Sequence, residues 1–197
     1  MLCSIIIIAI SQKDVYEMAY KNIAQVSNID RLVFKNQINN HKEKCVFISH
    51  KKEDEGAAID IGRFLMEVIG VNIYLDVMDE SLQTATQIDN DKWIVESIKK
   101  GLECSTHLLC LISENTHLSW WVPYEIGIAD NKNIRIASLK LKSIDDIPSF
   151  LKIHPAFYTI EEFVQNSVSY TPYGIFFDRN YNRISNNTEM LKKHIDS

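Results

Sequence analysis

The sequence lacks the short motifs that mark several common classes of enzyme and metalloprotein. It contains no CxxC or HxxxH pair, so the spacing of its cysteines and histidines predicts no metal site. It also contains no GxGxxG, GxxxxGKS/T or GxSxG motif, which disfavours a Rossmann cofactor site, an NTPase and a serine hydrolase. Internal repeats and low-complexity tracts are absent as well.

An excess of positive charge is also missing. The formal net charge is -5 at pH 7 and the pI is near 5.7, and no lysine or arginine cluster offsets this, so we expect no nucleic-acid partner. Three of the four cysteines lie in or beside apolar runs. We therefore expect buried free thiols in a reducing cytoplasm, and not disulfides.

No hydrophobic run is long enough to span a bilayer. The longest apolar stretch near the start, residues 4–10, is far short of the ~20 residues that a transmembrane helix needs. It has no basic region before it and no small-residue cleavage site after it, unlike a signal peptide. We expect a packing segment here and no stable membrane insertion.

From residue 45 onward, apolar runs alternate with helical periodicities. One predicted helix has Ala58, Ile61, Leu65 and Val68 at spacings of three and four residues, and Gly70 ends it. Strands are predicted at residues 46–48, 72–76, 107–112, 134–139 and 156–160. Because helices separate the strands, the connections are right-handed crossovers in a parallel sheet. The pattern predicts an α/β fold, a flavodoxin-like doubly wound sheet of five parallel strands.

The two ends of the chain are less regular. Residues 1–43 carry only a loose apolar stripe, and we predict that they form an N-terminal extension that is helical. Residues 44–160 form the predicted domain. Residues 161–197 form a C-terminal extension that packs on the domain or trails from it, with a polar, turn-rich loop at residues 178–187.

The predicted fold indicates where a ligand binds. In open parallel sheets, ligands occupy the crevice beyond the carboxyl ends of the strands. Ser49 and His50 follow the first predicted strand, Asp76 ends the second, and the turn at 113–115 follows the third. These residues are candidates for the site on topology alone.

The helix around Glu125 offers a candidate acid. Val122, Ile126 and Ala129 recur at helical spacing and are predicted to face the core, which places Glu125 at the border of the buried face, partly desolvated. Trp121 lies four residues before Glu125, on the same side of the helix. Such a pair could hold a flat cationic ring and stabilise a sugar cation. The alternative is a solvated acid beside two packing tryptophans.

Four sequence motifs, in this order and spacing, carry a family resemblance. They are VFISH at 46–50, IYLD at 73–76 before a long polar loop, LCLIS at 109–113, and SWWVPYEIG at 119–127. Together they resemble the Toll/interleukin-1 receptor (TIR) domain family across residues 44–160, in the bacterial form with a WxxxE helix. The loop at 77–90 departs from the family because it is acidic, without the usual basic and glycine-rich character.

The resemblance implies cleavage of the nicotinamide–ribose bond of NAD, with Glu125 as the essential catalytic residue. NAD would be the substrate, and no cofactor is expected. Phe47 matches an aromatic residue that contacts the nucleotide in related enzymes, although plain core packing is the alternative. Ser49 and His50 are candidates for hydrogen bonds to ribose or phosphate, Asp76 for substrate contact or loop capping, and Trp121 for stacking or core packing.

The chain is also similar to the small TIR proteins that produce the signal in Thoeris-type antiphage defence. That similarity implies an ADP-ribose product, a cyclic isomer or a conjugate, sensed by a separate effector protein. It further implies self-association through TIR domains. The alternatives are a non-catalytic TIR scaffold and a nucleotide sensor without turnover. Glu125 distinguishes them, since a scaffold needs no acid beside Trp121.

Overall fold

A computed structural model describes residues 20–40, 43–75, 91–142, 144–168 and 188–196. Its centre is a sheet of five parallel strands in the order β2-β1-β3-β4-β5. The strands are β1 (Cys45–Ser49), β2 (Asn72–Tyr74), β3 (His107–Ile112), β4 (Arg135–Lys140) and β5 (Ala156–Phe157). The structure therefore confirms the predicted α/β fold with a five-stranded parallel sheet.

Helices cover both faces of the sheet. They are α1 (Asn28–Asn39), α2 (Glu55–Phe64), α3 (Asp91–Glu103), α4 (Trp121–Asn131) and α5 (Ile160–Val168). Helices α2 and α5 contribute to the core on one face, whereas α1, α3 and α4 contribute to the core on the other. Because both faces are covered, every residue of β1 and β3 is buried, which explains their largely apolar sequences.

Several element boundaries differ from the prediction: β1 is one residue longer at each end, β4 is shifted by one residue, and β2 ends at Tyr74. The fifth strand ends at Phe157, and Ile160, predicted to end it, begins α5 instead. Helix α2 ends at Phe64 and continues as a π-helical turn, Leu65–Ile69, before Gly70 closes it with a φ of 81°. A positive φ favours glycine, so Gly70 ends the helix as predicted.

The described part of the N-terminal region packs on the domain. Ile73 donates its backbone N–H to Lys21 O at 3.0 Å, and the side chain of Asn22 accepts from the Leu75 backbone at 3.1 Å. Residues 21 and 22 thus cover the outer edge of β2, which would otherwise present unpaired backbone groups. Helix α1 follows and buries Phe34 and Ile38 in the core. The division of the chain at residue 43 stays a prediction.

A C-terminal strap, residues 188–196, packs on the opposite face. Leu191 and Ile195 are fully buried beside α2 and α5, and Ile160 donates its backbone N–H to Asp196 O at 3.0 Å. The predicted loop at 178–187 lies outside the described residues. Among the helices described, none is long and apolar enough to cross a membrane. Cys45, Cys104 and Cys110 are buried free thiols, as predicted.

Candidate active site

The start of α4 sets the position of Glu125. The helix begins at Trp121, and the Ser119 hydroxyl accepts a hydrogen bond from the Val122 backbone N–H at 3.2 Å. Pro123 falls in the first turn, where its missing N–H costs no helical hydrogen bond. Val122, Ile126 and Ala129 are buried, as their spacing predicts. With that stripe against the sheet, the side chain of Glu125 turns toward the sheet as well.

Glu125 is more deeply buried than predicted. Its residue exposure is 4%, whereas the helical spacing predicts a position at the border of the buried face. The strand residues beside it, Ser49 and Cys110, have small side chains, which leave room for a carboxylate below α4. Among the described carboxylate residues, Glu125 alone is classed as buried. Burying a charge costs free energy, so its partners matter.

Ser49 is one such partner. Its hydroxyl donates a hydrogen bond of 2.5 Å to Oε2 of Glu125. Ser49 is the last residue of β1 and is 1% exposed, so the contact lies at the carboxyl end of the strand. Short hydrogen bonds to an ionised acceptor are stronger than neutral ones. The structure thus brings together two of the residues predicted to form the site.

A row of small side chains crosses the sheet beneath α4. Ser49 of β1 aligns with Cys110 of β3, which aligns with Ser138 of β4. Burial raises the pKa of the Cys110 thiol, and the Glu125 charge raises it further, whereas a hydrogen bond with Ser49 lowers it. The net shift is well above the usual range, so Cys110 stays a neutral thiol and is unsuited to nucleophilic attack.

A second cluster of hydrogen bonds joins the loops that follow β1 and β3. Asp54, just before α2, accepts from the Ser113 hydroxyl at 2.5 Å and from Nδ2 of Asn115 at 3.3 Å. Asn115 in turn donates its backbone N–H to the Ser113 hydroxyl at 3.0 Å. Since Ser113 follows β3 and Asp54 follows β1, this cluster ties together the loops at the carboxyl ends of neighbouring strands.

The other predicted site residues that the structure describes make the following contacts. Phe47 is 1% exposed and stacks on Tyr74, with ring centroids 5.6 Å apart. His50 is half-buried, with Nδ1 3.3 Å from Ile48 O. Trp121 is half-buried and meets Tyr124 edge-on at 6.1 Å. Asp76 lies outside the described residues. The substrate-binding roles of all four stay predictions.

Sequence reasoning did not single out Cys110 or Asp54. The sequence predicts Cys110 only as one of several buried thiols. Its alignment with Ser49 depends on the register between β1 and β3, which local sequence does not give. Asp54 lies in a polar turn rich in charge, where nothing in the sequence distinguishes it from Glu53 or Glu55. Only the order of the strands in the sheet could have indicated that Cys110 lies beside Ser49 and that Asp54 lies beside Ser113.

The described residues suit charge stabilisation better than metal chemistry. Within the described ranges, no group of three or more His, Cys, Asp and Glu side chains could hold a metal ion. A separate groove of about 580 Å³ lies between α3 and α4, and Glu125 is not among its lining residues. A single buried carboxylate, held by a hydroxyl, can stabilise a positive charge that develops on a bound substrate.

Comparisons with known proteins identify the family to which this chain belongs. The chain is 27% identical over 150 residues to the "Probable 3' cyclic ADP-D-ribose synthase ThsB'" of Bacillus cereus (strain MSX-D12), an alignment that covers 69% of this chain and 74% of the relative. A solved structure, a conserved protein from Enterococcus faecalis V583, matches 79% of this chain and 92% of its own, with 15% identity and a TM-score of 0.43. The family model described as "Thoeris protein ThsB, TIR-like domain" matches residues 47–145. The chain therefore belongs to the family of Thoeris ThsB proteins with a TIR-like domain.

Proposed function

We propose that this protein cleaves the nicotinamide–ribose bond of NAD and converts the remainder into an ADP-ribose-derived nucleotide signal for antiphage defence. The single observation that carries the proposal is the buried carboxylate of Glu125 at the carboxyl edge of the sheet, where Ser49 donates to it. Buried, partnered acids in such a crevice are characteristic of functional sites. Family membership and the name of the Bacillus cereus relative support the same chemistry.

Cleavage of the nicotinamide–ribose bond needs only one carboxylate. Most glycosidases need a second acid because an alkoxide leaving group has to be protonated. Nicotinamide departs from NAD as a neutral molecule, since the electron pair of the broken C–N bond neutralises the positive charge of the pyridinium ring. The ribose carbon is left as an oxocarbenium ion. The carboxylate of Glu125 would stabilise that cation electrostatically in a site with little competing water.

A nucleophile then completes the reaction. Attack by water gives ADP-ribose and releases a proton, whereas attack by a hydroxyl or nitrogen atom of the same nucleotide gives a cyclic product. The relative is named for a 3' cyclic ADP-D-ribose, which favours the cyclic outcome here. Cyclisation requires a pocket that excludes water while the nucleotide folds back on the ribose cation. In this account NAD is a consumed substrate, the reaction is cytoplasmic, and an effector protein senses the product.

Product analysis tests the proposal directly. Concentrated protein is incubated with NAD, and the mixture is separated by chromatography with mass detection. We expect free nicotinamide together with a nucleotide that is either ADP-ribose or lighter than ADP-ribose by one water molecule. No nicotinamide from concentrated protein, either alone or with an extract of phage-infected cells, would reject the proposal.

The alternative of a non-catalytic TIR scaffold draws on a different surface. Leu118 and Trp120, in the turn before α4, are 62% and 90% exposed. Exposed apolar side chains of this size are common at protein interfaces. We propose that they contribute to self-association, and Trp120→Ser should shift the protein toward monomer in sedimentation analysis. A scaffold that lacks enzymatic activity would self-associate without releasing nicotinamide.

A further inference from the structure

We propose that Ser49 is a positioning residue whose hydroxyl, fixed at the end of β1, orients the carboxylate of Glu125 toward the ribose of the substrate. The inference rests on the proposed function and assigns Ser49 a role other than contact with the nucleotide. It follows from the 2.5 Å hydrogen bond between Ser49 Oγ and Glu125 Oε2.

The donor is held rigidly. Strand β1 lies inside the sheet, with β2 on one side and β3 on the other. Ser49 itself aligns with Cys110 of β3 and is 1% exposed. Its side chain has one rotatable bond before the oxygen, so burial and strand pairing fix the position of the hydroxyl. Groups carried on paired strands are placed more accurately than groups on loops.

The direction of the hydrogen bond follows from the chemistry of the row. An ionised carboxylate only accepts, so the single hydroxyl proton of Ser49 points at Glu125. Cys110 lies across from Ser49 in the sheet, and burial raises the pKa of its thiol, so this neighbour stays neutral. A neutral sulfur is a weak acceptor, so the carboxylate is the stronger acceptor for the Ser49 proton.

The acid benefits from such a partner. A glutamate side chain has three rotatable bonds, and its reactive oxygens sit at the far end of them. Holding one carboxylate oxygen gives the other oxygen a defined direction. This matters because a displacement of a catalytic group by about 1 Å can lower the reaction rate on the order of 100-fold. Ser49 would thus act through Glu125, without contact with the reacting atoms.

Ser138 supplies a matched control. It lies in the same row on the same face of the sheet, is fully buried, and its hydroxyl has no partner among the described residues. Ser138→Ala removes the same oxygen atom as Ser49→Ala but no hydrogen bond to Glu125. The two variants therefore separate a general effect of the buried row from the specific effect on the acid.

The kinetic test measures nicotinamide release from NAD. We expect Ser49→Ala to lower kcat by roughly 10- to 100-fold with little change in KM. Ser49→Thr, which keeps the hydroxyl, should recover part of the loss, and Ser138→Ala should behave like wild type. Unfolding midpoints of all variants show whether each is folded. A folded Ser49→Ala protein with the wild-type kcat would overturn the proposal, and so would an equal loss in Ser138→Ala.

A second measurement does not depend on activity. Thermal unfolding of Ser49→Ala, Glu125→Gln and the double variant forms a cycle, and we expect the shifts in Tm to be non-additive. The cycle with Ser138→Ala in place of Ser49→Ala should be additive. An additive Ser49–Glu125 cycle overturns the proposal even in an active enzyme. Non-additivity in a protein that never releases nicotinamide would instead reject only the proposed function.

Discussion

Ser49 and Glu125 are separated by 76 positions in the sequence, yet the hydroxyl of Ser49 lies 2.5 Å from the carboxylate of Glu125. The two residues belong to different motifs, one at the end of β1 and the other in α4. The sheet order brings them together because β1 and β3 are neighbours and α4 follows β3. The fold therefore creates this contact between two candidate site residues, and the consequences of the fold and of the site can be measured.

The hydrogen bonds of Asp54 should matter for both stability and substrate binding. Asp54→Ala leaves the Ser113 hydroxyl and the Asn115 amide without this acceptor, so we expect a loss of about 1–3 kcal/mol in the free energy of unfolding. The two loops would no longer be tied, and KM for NAD should rise. Chemical denaturation and initial rates measure the two effects.

Glu53 provides the control for Asp54. It lies next to Asp54 and pairs at 3.5 Å with Lys51, but its side chain is 56% exposed. Exposed ion pairs contribute little to stability, so Glu53→Ala should leave both the unfolding free energy and KM near wild type. Equal effects of the two substitutions would show that loss of charge, and not loss of the loop contact, is responsible.

Helix α3 requires glycine at position 101, where it packs against the stacked rings of Phe47 and Tyr74. A Cβ at this position would lie 2.5 Å from Cε1 of Tyr74 and 2.8 Å from Cε2 of Phe47. Since both rings are buried and stacked on each other, Gly101→Ala should destabilise the protein by about 1–3 kcal/mol. Gly127→Ala in α4 adds a Cβ in open space and should instead stabilise by about 0.5–1 kcal/mol. Thermal unfolding of both variants checks the opposite signs.

His107 should make the protein sensitive to acid. Burial, followed by the charges of Arg135 and Lys44, lowers the pKa of His107 to about 3. Below the ordinary histidine pKa of 6.5 the unfolded chain binds a proton that the folded protein does not bind, so stability falls as the pH decreases from 6.5 toward 3. The contribution is about 1.4 kcal/mol per pH unit within that window. Urea unfolding of wild type and His107→Leu across the window should give a smaller slope for the variant; an unchanged slope would exclude His107 as the source.

The C-terminal strap should be part of the folded unit. Leu191 is fully buried in the core on the α2 and α5 face, so Leu191→Ala is expected to cost about 2–4 kcal/mol of unfolding free energy. The neighbouring Lys192 is exposed and pairs with exposed Glu189, so Lys192→Ala should cost less than about 1 kcal/mol. Equal, small effects would mean that residues 188–196 trail from the domain.

The sequence predicts much of this fold because hydrophobic periodicity is strong where both faces of the sheet are covered. The predicted third strand, 107–112, matches β3, and the start of α4 follows from Ser119 and Pro123. The end of β5 is less predictable, because Ile160 is apolar and suits either a strand or the buried side of α5. A short edge strand contains too few residues to show the hydrophobic pattern of a strand.

The site is predictable only in part. Helical spacing identifies Glu125 but places it at a boundary, because spacing around one helix contains no information on the size of the side chains below it. The small residues Ser49 and Cys110 lie on other strands, and their register makes the room. The hydrogen bond between Asp54 and Ser113 is also a long-range contact, which no local sequence pattern predicts.

The most direct test of the account is the rate of nicotinamide release from NAD by wild type, Glu125→Gln and Glu96→Gln at equal, high protein concentration. Glu96 is an exposed carboxylate of α3, so its substitution makes the same chemical change away from the site. The account predicts release by wild type and Glu96→Gln and none above background by folded Glu125→Gln. Release by Glu125→Gln at the wild-type rate would contradict it.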